Sequence, residues 1–330
     1  MCDEQLLDVP LDRWGVSVEA VLTRLQVSSF VSARHRYLYI MPPKIGCTTL
    51  KHMIAAVEDI TFRPEVVARR NRDSKRGMLI HDQETLPVPH LTSLPPVQAA
   101  AVLHPDSGYL HLAFVRNPCS RLFLSWNNKL RFVEPSYAPV AAAIWATLGR
   151  GYEAEPVDFA DFADFICRYE DSRLCDHHWA TQTALLFPDA IQYSFVCPIE
   201  EFGLGWSRWR AHLERVRGES VEALTPPSNV SIPENWRLAY DQRLADRVYE
   251  YYSEDFRRLG YDRNIWQTAD EVCCIQPTAM NSSSGVRSSS GTNNLTLPTP
   301  DLRNTPLLPH VNRPNRRSVD ECMPPPSRKY

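Results

Sequence analysis

The stretch Arg36-Tyr37-Leu38-Tyr39-Ile40-Met41-Pro42-Pro43-Lys44-Ile45-Gly46-Cys47-Thr48-Thr49-Leu50-Lys51 constrains the fold more than any other. Its first part is a short apolar run, the pattern of a buried strand. After a tight turn, Leu50, Met53, Ile54 and Val57 fall at i, i+3, i+4 and i+7, which predicts a helix with one apolar face. The turn between them holds Lys44, Gly46, Thr48 and Thr49. A helix start presents unpaired backbone N–H groups and the positive end of its dipole. A lysine and two hydroxyls at that point make an anion site of the phosphate-loop kind.

The same unit recurs. Leu110-His111-Leu112-Ala113-Phe114-Val115 reads as a second strand and runs into Arg116-Asn117-Pro118. A helix follows, with Leu122, Phe123, Trp126, Leu130 and Val133 on one side. In both units polar residues sit at the carboxyl end of the strand, the edge where open α/β sheets bind ligands. A third strand is expected at 193–197. Further helices are expected at 95–104, 139–149, 158–169, 177–187, 200–217 and 240–259, the last capped by Gly260. Residues 1–34 read as a helical lead-in, with Val16, Val18, Val21, Leu22 and Leu25 forming a partial stripe. The basic, poorly periodic segment 59–80 reads as a surface excursion, and 263–330 as a disordered Ser/Pro-rich tail too poor in apolar residues to offset its ordering entropy. The expected organisation is one α/β domain over 35–262, a central, mainly parallel sheet with helices on both faces.

Composition narrows the function. A net charge of -3 argues against a general nucleic-acid binder, which needs a basic excess, but leaves room for one local basic pocket. No window approaches the ~20 apolar residues of a spanning helix. The acidic start Met1-Cys2-Asp3-Glu4 is not that of a signal peptide. The nine cysteines are scattered without CxxC spacing, which speaks against a zinc or redox site and for reduced thiols in a cytoplasmic protein.

The first loop does not read GxxxxGK[ST], as a phosphate loop of nucleotide hydrolases would. Its pattern PKxGCTxxK, from Pro43 to Lys51, resembles the loop with which sulfotransferases hold the 5'-phosphosulfate of 3'-phosphoadenosine 5'-phosphosulfate (PAPS). Val115-Arg116-Asn117-Pro118-Cys119-Ser120-Arg121-Leu122, with Ser125 and Lys129 downstream, is similar to their 3'-phosphate signature. That signature carries a serine eight residues after the arginine. Leu124 stands there in this chain, and Ser125 is one residue on, a ~100° rotation around a helix. Ser120, at the helix start, is the substitute candidate. His81, the run Asp176-His177-His178-Trp179 with Gln182, Tyr193-Ser194-Phe195-Val196, and the closing segment from Val248 through Tyr252, Asp255, Phe256, Gly260 and Tyr261 resemble the carbohydrate-type, or family-2, sulfotransferases and their bacterial relatives.

This resemblance implies a three-layer α/β/α fold of the P-loop-containing nucleotide hydrolase type. It implies transfer of a sulfuryl group from PAPS to a hydroxyl of a carbohydrate or glycolipid-like acceptor, with release of adenosine 3',5'-bisphosphate. By the same likeness Pro43, Lys44, Gly46, Cys47, Thr48 and Thr49 hold the 5' end of the cofactor, Arg116 and Ser125 its 3'-phosphate, and Lys44 acts on the leaving group. No metal is expected. An acceptor hydroxyl needs a base. His81 is the first candidate and His178 the second; His177, His90 and the carboxylate of Glu84 are alternatives. Two rival functions are a small-molecule kinase of related fold, which requires a GK[ST] loop and a Mg²⁺ carboxylate, and a non-catalytic adaptor that binds PAPS or its product.

Overall fold

The computed structural model describes residues 18–25, 27–61, 80, 85–131, 133–151, 156–171, 175–221 and 236–267. Four strands form one sheet: β1 Ser28–Ser32, β2 Tyr37–Met41, β3 Leu110–Val115 and β4 Phe195–Pro198, side by side in that order. β1 runs antiparallel to β2, while β2–β3 and β3–β4 are parallel. Parallel neighbours need long crossovers, and helices supply them. Between β2 and β3 lie α2 (Cys47–Val57) and α3 (Pro96–Leu103). Between β3 and β4 lie α4 (Pro118–Lys129), α5 (Ala138–Thr147), α6 (Phe159–Tyr169) and α7 (Gln182–Leu186). α1 (Val18–Arg24) precedes the sheet, and α8 (Phe202–Arg217), α9 (Gln242–Tyr251) and α10 (Ser253–Leu259) follow it.

All five residues of β2 are buried, because this strand is covered on both faces. Side chains alternate across a strand, so Leu38 and Ile40 join one apolar cluster while Tyr37, Tyr39 and Met41 join another. The first cluster takes Val21 of α1, Leu122 of α4, Phe162 of α6 and Val248 of α9. The second takes Leu50 and Ile54 of α2 and Trp209 and Leu213 of α8. Each such side chain, fully buried, contributes about 1.5–3 kcal/mol. α8 lies close against β3 at Gly205, where a β-carbon would overlap the Phe114 ring.

The structure departs from the sequence reading in three places. The lead-in is helical at Val18–Arg24, but Ser28–Ser32 is a strand whose pairing comes from β2 rather than from any pattern of its own. The sheet therefore takes in residues ahead of 35. The helix expected at 177–187 begins only at Gln182, and Asp176–Trp179 is a turn. The last helix, expected to be continuous over 240–259, is split at Tyr252, whose hydroxyl donates to Trp179 O at 2.5 Å. The basic segment 62–79 and the tail beyond 267 lie outside the described residues. No described helix is long and apolar enough to cross a membrane.

Candidate active site

The register Ile40↔Ala113 sets the carboxyl ends of β2 and β3 side by side, so the two polar loops leave the sheet as neighbours. In the first, Lys44 (φ 69) and Gly46 (φ 89) both turn through left-handed backbone, which reverses the chain before α2. Gly46 is the N-cap of α2 and supplies no side-chain cap, and a β-carbon there would meet nothing within 4 Å. The first turn of α2, carrying Cys47, Thr48 and Thr49, thus starts at an open face rather than beneath a capping side chain. The Cys47 thiol donates to Pro42 O at 3.4 Å. Burial, and then the charge of Lys129, pull the Lys44 ammonium down to about 8. Glu134 opposes this, but its carboxylate is committed to Lys129 at 2.7 Å.

In the second loop the backbone of Arg116 is clamped by Gln182. Arg116 N–H donates to Oε1 at 2.8 Å, and Nε2 donates to Arg116 O at 2.7 Å. Gln182 is anchored in turn by the fully buried Asp255, which accepts from Gln182 N at 2.7 Å, Thr183 N at 2.8 Å and Thr183 Oγ1 at 2.8 Å. Glu200 accepts from Asn117 N at 3.0 Å and from the Tyr261 hydroxyl at 3.2 Å. Burial raises the Glu200 carboxyl, and the Arg116 charge is among the influences that oppose it. Asn117 caps α4 through Cys119 N at 2.9 Å and Ser120 N at 3.3 Å, so this helix start, unlike that of α2, is closed by a side chain.

Neither serine nominated for the 3'-phosphate has an idle hydroxyl. Ser120 Oγ donates to Asn117 O at 3.1 Å. Ser125 is fully buried, with Oγ 2.9 Å from Arg121 O and 2.6 Å from His178 O. The one-residue offset from the signature turns Ser125 into the protein and leaves Leu124 half-buried in its place.

The turn before α7 brings a histidine to the same place. Nδ1 of His178 lies 2.7 Å from Asp176 Oδ1, which also accepts His178 N–H at 2.8 Å. An ionised carboxylate only accepts, so Nδ1 carries the proton and Nε2 the lone pair. The Tyr137 hydroxyl closes the group, 2.9 Å from His178 Nδ1 and 3.3 Å from Asp176 Oδ2. Lys129 Nζ sits over the Tyr137 ring, 4.9 Å from its centroid. Burial pulls the His178 imidazole down to about 4; the Asp176 hydrogen bond opposes this, and the charges of His177 and Lys44 add to it. Burial would raise the Asp176 carboxyl, but its bonds with His178 hold it at about 2. Arg121, bonded to both Pro43 O and His177 O, ties the first loop to this turn, and the Lys44 charge is among those that act on His178. Asp176, His177 and His178 also bring one ligand atom each within 4.8 Å of one another, a set able to hold a metal ion.

Of the other candidate bases, His81 and Glu84 lie outside the described residues. His90 is tied to the sheet edge: Nδ1 accepts Ser29 N–H at 3.1 Å, and its ring tilts against Phe30 at 4.8 Å. A cleft of about 770 Å³ exists elsewhere, lined by Arg36 and Tyr109, which precede β2 and β3 at the opposite end of the strands from Lys44 and Arg116. Sequence reasoning missed Tyr137 and Glu134, which no local pattern marks, and gave no role to Arg121, although the quoted 3'-phosphate signature contains it. Asp176 had a signal, its place two residues before His178.

The profile described as the sulfotransferase family matches residues 28–262. The chain is similar to carbohydrate sulfotransferase 14 of Danio rerio, 25% identical over 286 residues that cover 81% of this chain and 70% of that protein. It is 24% identical to carbohydrate sulfotransferase 8 of Homo sapiens, over 76% of this chain and 59% of the relative. With carbohydrate sulfotransferase 10 of Xenopus laevis it shares 27% identity over 70% of this chain and 66% of that protein. No solved structure was found to match.

Proposed function

Because the chain belongs to the sulfotransferase family, we propose that it moves a sulfuryl group from PAPS to a hydroxyl of a carbohydrate or glycolipid-like acceptor and releases adenosine 3',5'-bisphosphate. The names of the three relatives above, carbohydrate sulfotransferases 14, 8 and 10, support the acceptor class. The observation that carries the reading is that Arg121 ties the Lys44 loop, beside a helix start with no side-chain cap, to the turn that holds the Asp176-oriented imidazole of His178. The finer reading of the fold, a three-layer P-loop-like nucleotide-binding architecture, belongs to the same proposal and draws its support from the two strand–turn–helix units.

In this reading Pro43, Gly46 and Cys47 shape a loop whose amides, with the Thr48 and Thr49 hydroxyls, receive the 5'-phosphate. Arg116 offers a planar fork to the 3'-phosphate. Ser125 contributes indirectly, by holding the backbone of His178. PAPS supplies an activated sulfuryl group on a phosphate leaving group, and in-line attack by the acceptor oxygen breaks that bond, as in phosphoryl transfer. Lys44 stabilises the charge that grows on the bridging oxygen. His178 Nε2 takes the proton of the acceptor hydroxyl, and Asp176 stabilises the imidazolium that forms. An imidazole held near 4 is neutral, and so competent as a base, at physiological pH. The negative charge of bound donor would raise it toward the working pH. His81 is the alternative base.

The test is transfer of ³⁵S from PAPS to a panel of carbohydrate acceptors, together with thermal shifts by adenosine 3',5'-bisphosphate and by ATP–Mg²⁺. Label transfer is expected, with stabilisation by the bisphosphate. Stabilisation by ATP–Mg²⁺ alone would point to the kinase, and nucleotide binding with no transfer to any acceptor would point to the adaptor.

A further inference from the structure

Arg121 is 1% exposed, yet among the described residues it forms no ion pair. Its guanidinium is spent on three backbone carbonyls. Nε donates to Pro43 O at 3.0 Å, Nη2 to His177 O at 2.9 Å and Nη1 to Ala180 O at 2.6 Å. Two of these acceptors have a particular place in the chain. Pro43 O belongs to the peptide that leads into Lys44, and His177 O to the peptide that leads into His178. One turn further along α4, the Ser125 hydroxyl lies on His178 O. A single rigid fork therefore spans the loop after β2 and the turn before α7, gripping each at the residue before its chemistry-bearing side chain.

Burying an arginine that makes no contact ion pair, with the buried Asp255 carboxylate acting on it only from a distance, is an expensive way to fill space, and apolar packing would serve better if stability alone were needed. Charge-assisted bonds to carbonyls are short and directional, and the planar fork fixes the angle between its acceptors. Lysine presents a point charge on a flexible stem and cannot reproduce that span. Transfer by the sulfotransferase proposed above requires the base and the leaving-group lysine to meet the reacting atoms from two different loops. A misplacement of about 1 Å can cost ~10²-fold in rate.

We infer that Arg121 is a positioning residue that sets the separation of the Lys44 loop from the His178 turn, acting on turnover rather than on cofactor affinity. This rests on the sulfotransferase reading, so the experiment carries the wild-type chain in parallel. Arg121→Lys is compared with wild type by thermal melting with and without adenosine 3',5'-bisphosphate, and by kcat and KM for PAPS in ³⁵S transfer. The expected result is a cooperative melt, bisphosphate affinity and KM for PAPS within about fivefold of wild type, and kcat lower by on the order of 100-fold. A kcat within threefold of wild type, whatever the change in melting temperature, overturns the inference, as does an equal loss in kcat and affinity. If Arg121→Lys does not fold, Arg121→Gln, which is neutral and keeps a donor, is put through the same assays. Failure of both to fold makes Arg121 a folding residue and also overturns it. A wild-type chain that transfers no label sinks the sulfotransferase reading, and this inference with it.

Discussion

The Ser125 hydroxyl lies 2.6 Å from the carbonyl oxygen of His178, so the helix that follows Arg116 is bonded to the backbone of the candidate base. The same hydroxyl is also 2.9 Å from Arg121 O. A buried hydroxyl between two carbonyls builds the site from behind. Ser125→Ala should lower stability by about 1–2 kcal/mol through a carbonyl left without its donor, a fall of roughly 2–8 °C in melting temperature for a domain of this size. It should weaken nucleotides with and without a 3'-phosphate equally. A loss confined to the 3'-phosphorylated nucleotide, measured by calorimetry, would put the serine on the phosphate.

Lys44 is the group proposed to meet charge on the leaving oxygen. Lys44→Ala should lower kcat by ~10²–10³-fold, the cost of losing one preorganised donor to a developing anion, while bisphosphate affinity falls about tenfold or less. With its pKa held at about 8 by burial and by Lys129, the lysine loses its proton above that pH in the free enzyme. The pH profile of kcat/KM should therefore fall on the alkaline side near 8, and Lys44→Arg should remove that limb even if its absolute rate is poor. A profile flat to pH 10 would remove Lys44 from the mechanism.

Arg116 is held by its backbone, through Gln182 and Asp255, and its guanidinium is the group proposed for the 3'-phosphate. Arg116→Ala should weaken adenosine 3',5'-bisphosphate by roughly 100-fold, the scale of a charge-assisted pair. Binding of adenosine 5'-monophosphate should change little. Equal losses for the two nucleotides would make Arg116 a structural residue.

The His178–Asp176 pair makes stability depend on pH. The folded imidazole titrates near 4 against 6.5 unfolded, so between those values the unfolded chain binds more protons. Stability should fall as pH drops from 6.5 toward 4, by about 3 kcal/mol at most. Asp176 works at lower pH. Its folded carboxyl sits near 2 against 3.8, so its contribution is present above 3.8 and is lost as pH falls through 2. His178→Gln should flatten the melting temperature between pH 4 and 6.5, and an unchanged slope would mean the imidazole is not buried in solution. The same substitution should lower kcat by ~10²–10⁴-fold if His178 is the base.

Local pattern dictated the two strand–turn–helix units. The apolar run Tyr37–Met41, the i, i+3, i+4, i+7 face of α2 and the run Leu110–Val115 are read within a few residues of themselves, and so are the loops that follow them. Lys44, Gly46, Thr48, Thr49 and Arg116 were legible for that reason. Edge strand β1 was not, because Ser28–Ser32 has a partner in β2 but no alternation to announce it. Nor was the orientation of Ser125: a serine one residue out of register looks like a nearby substitute on paper, and only the packing of α4 against the His178 turn shows which way it points. The base site is tertiary throughout. Asp176 and His178 are neighbours in the chain, but Tyr137 and Arg121 reach this turn from residues 39 to 56 positions away. Such contacts depend on how helices and loops close over the ends of β2 and β3, a long-range balance of burial and hydrogen bonding that no local period records.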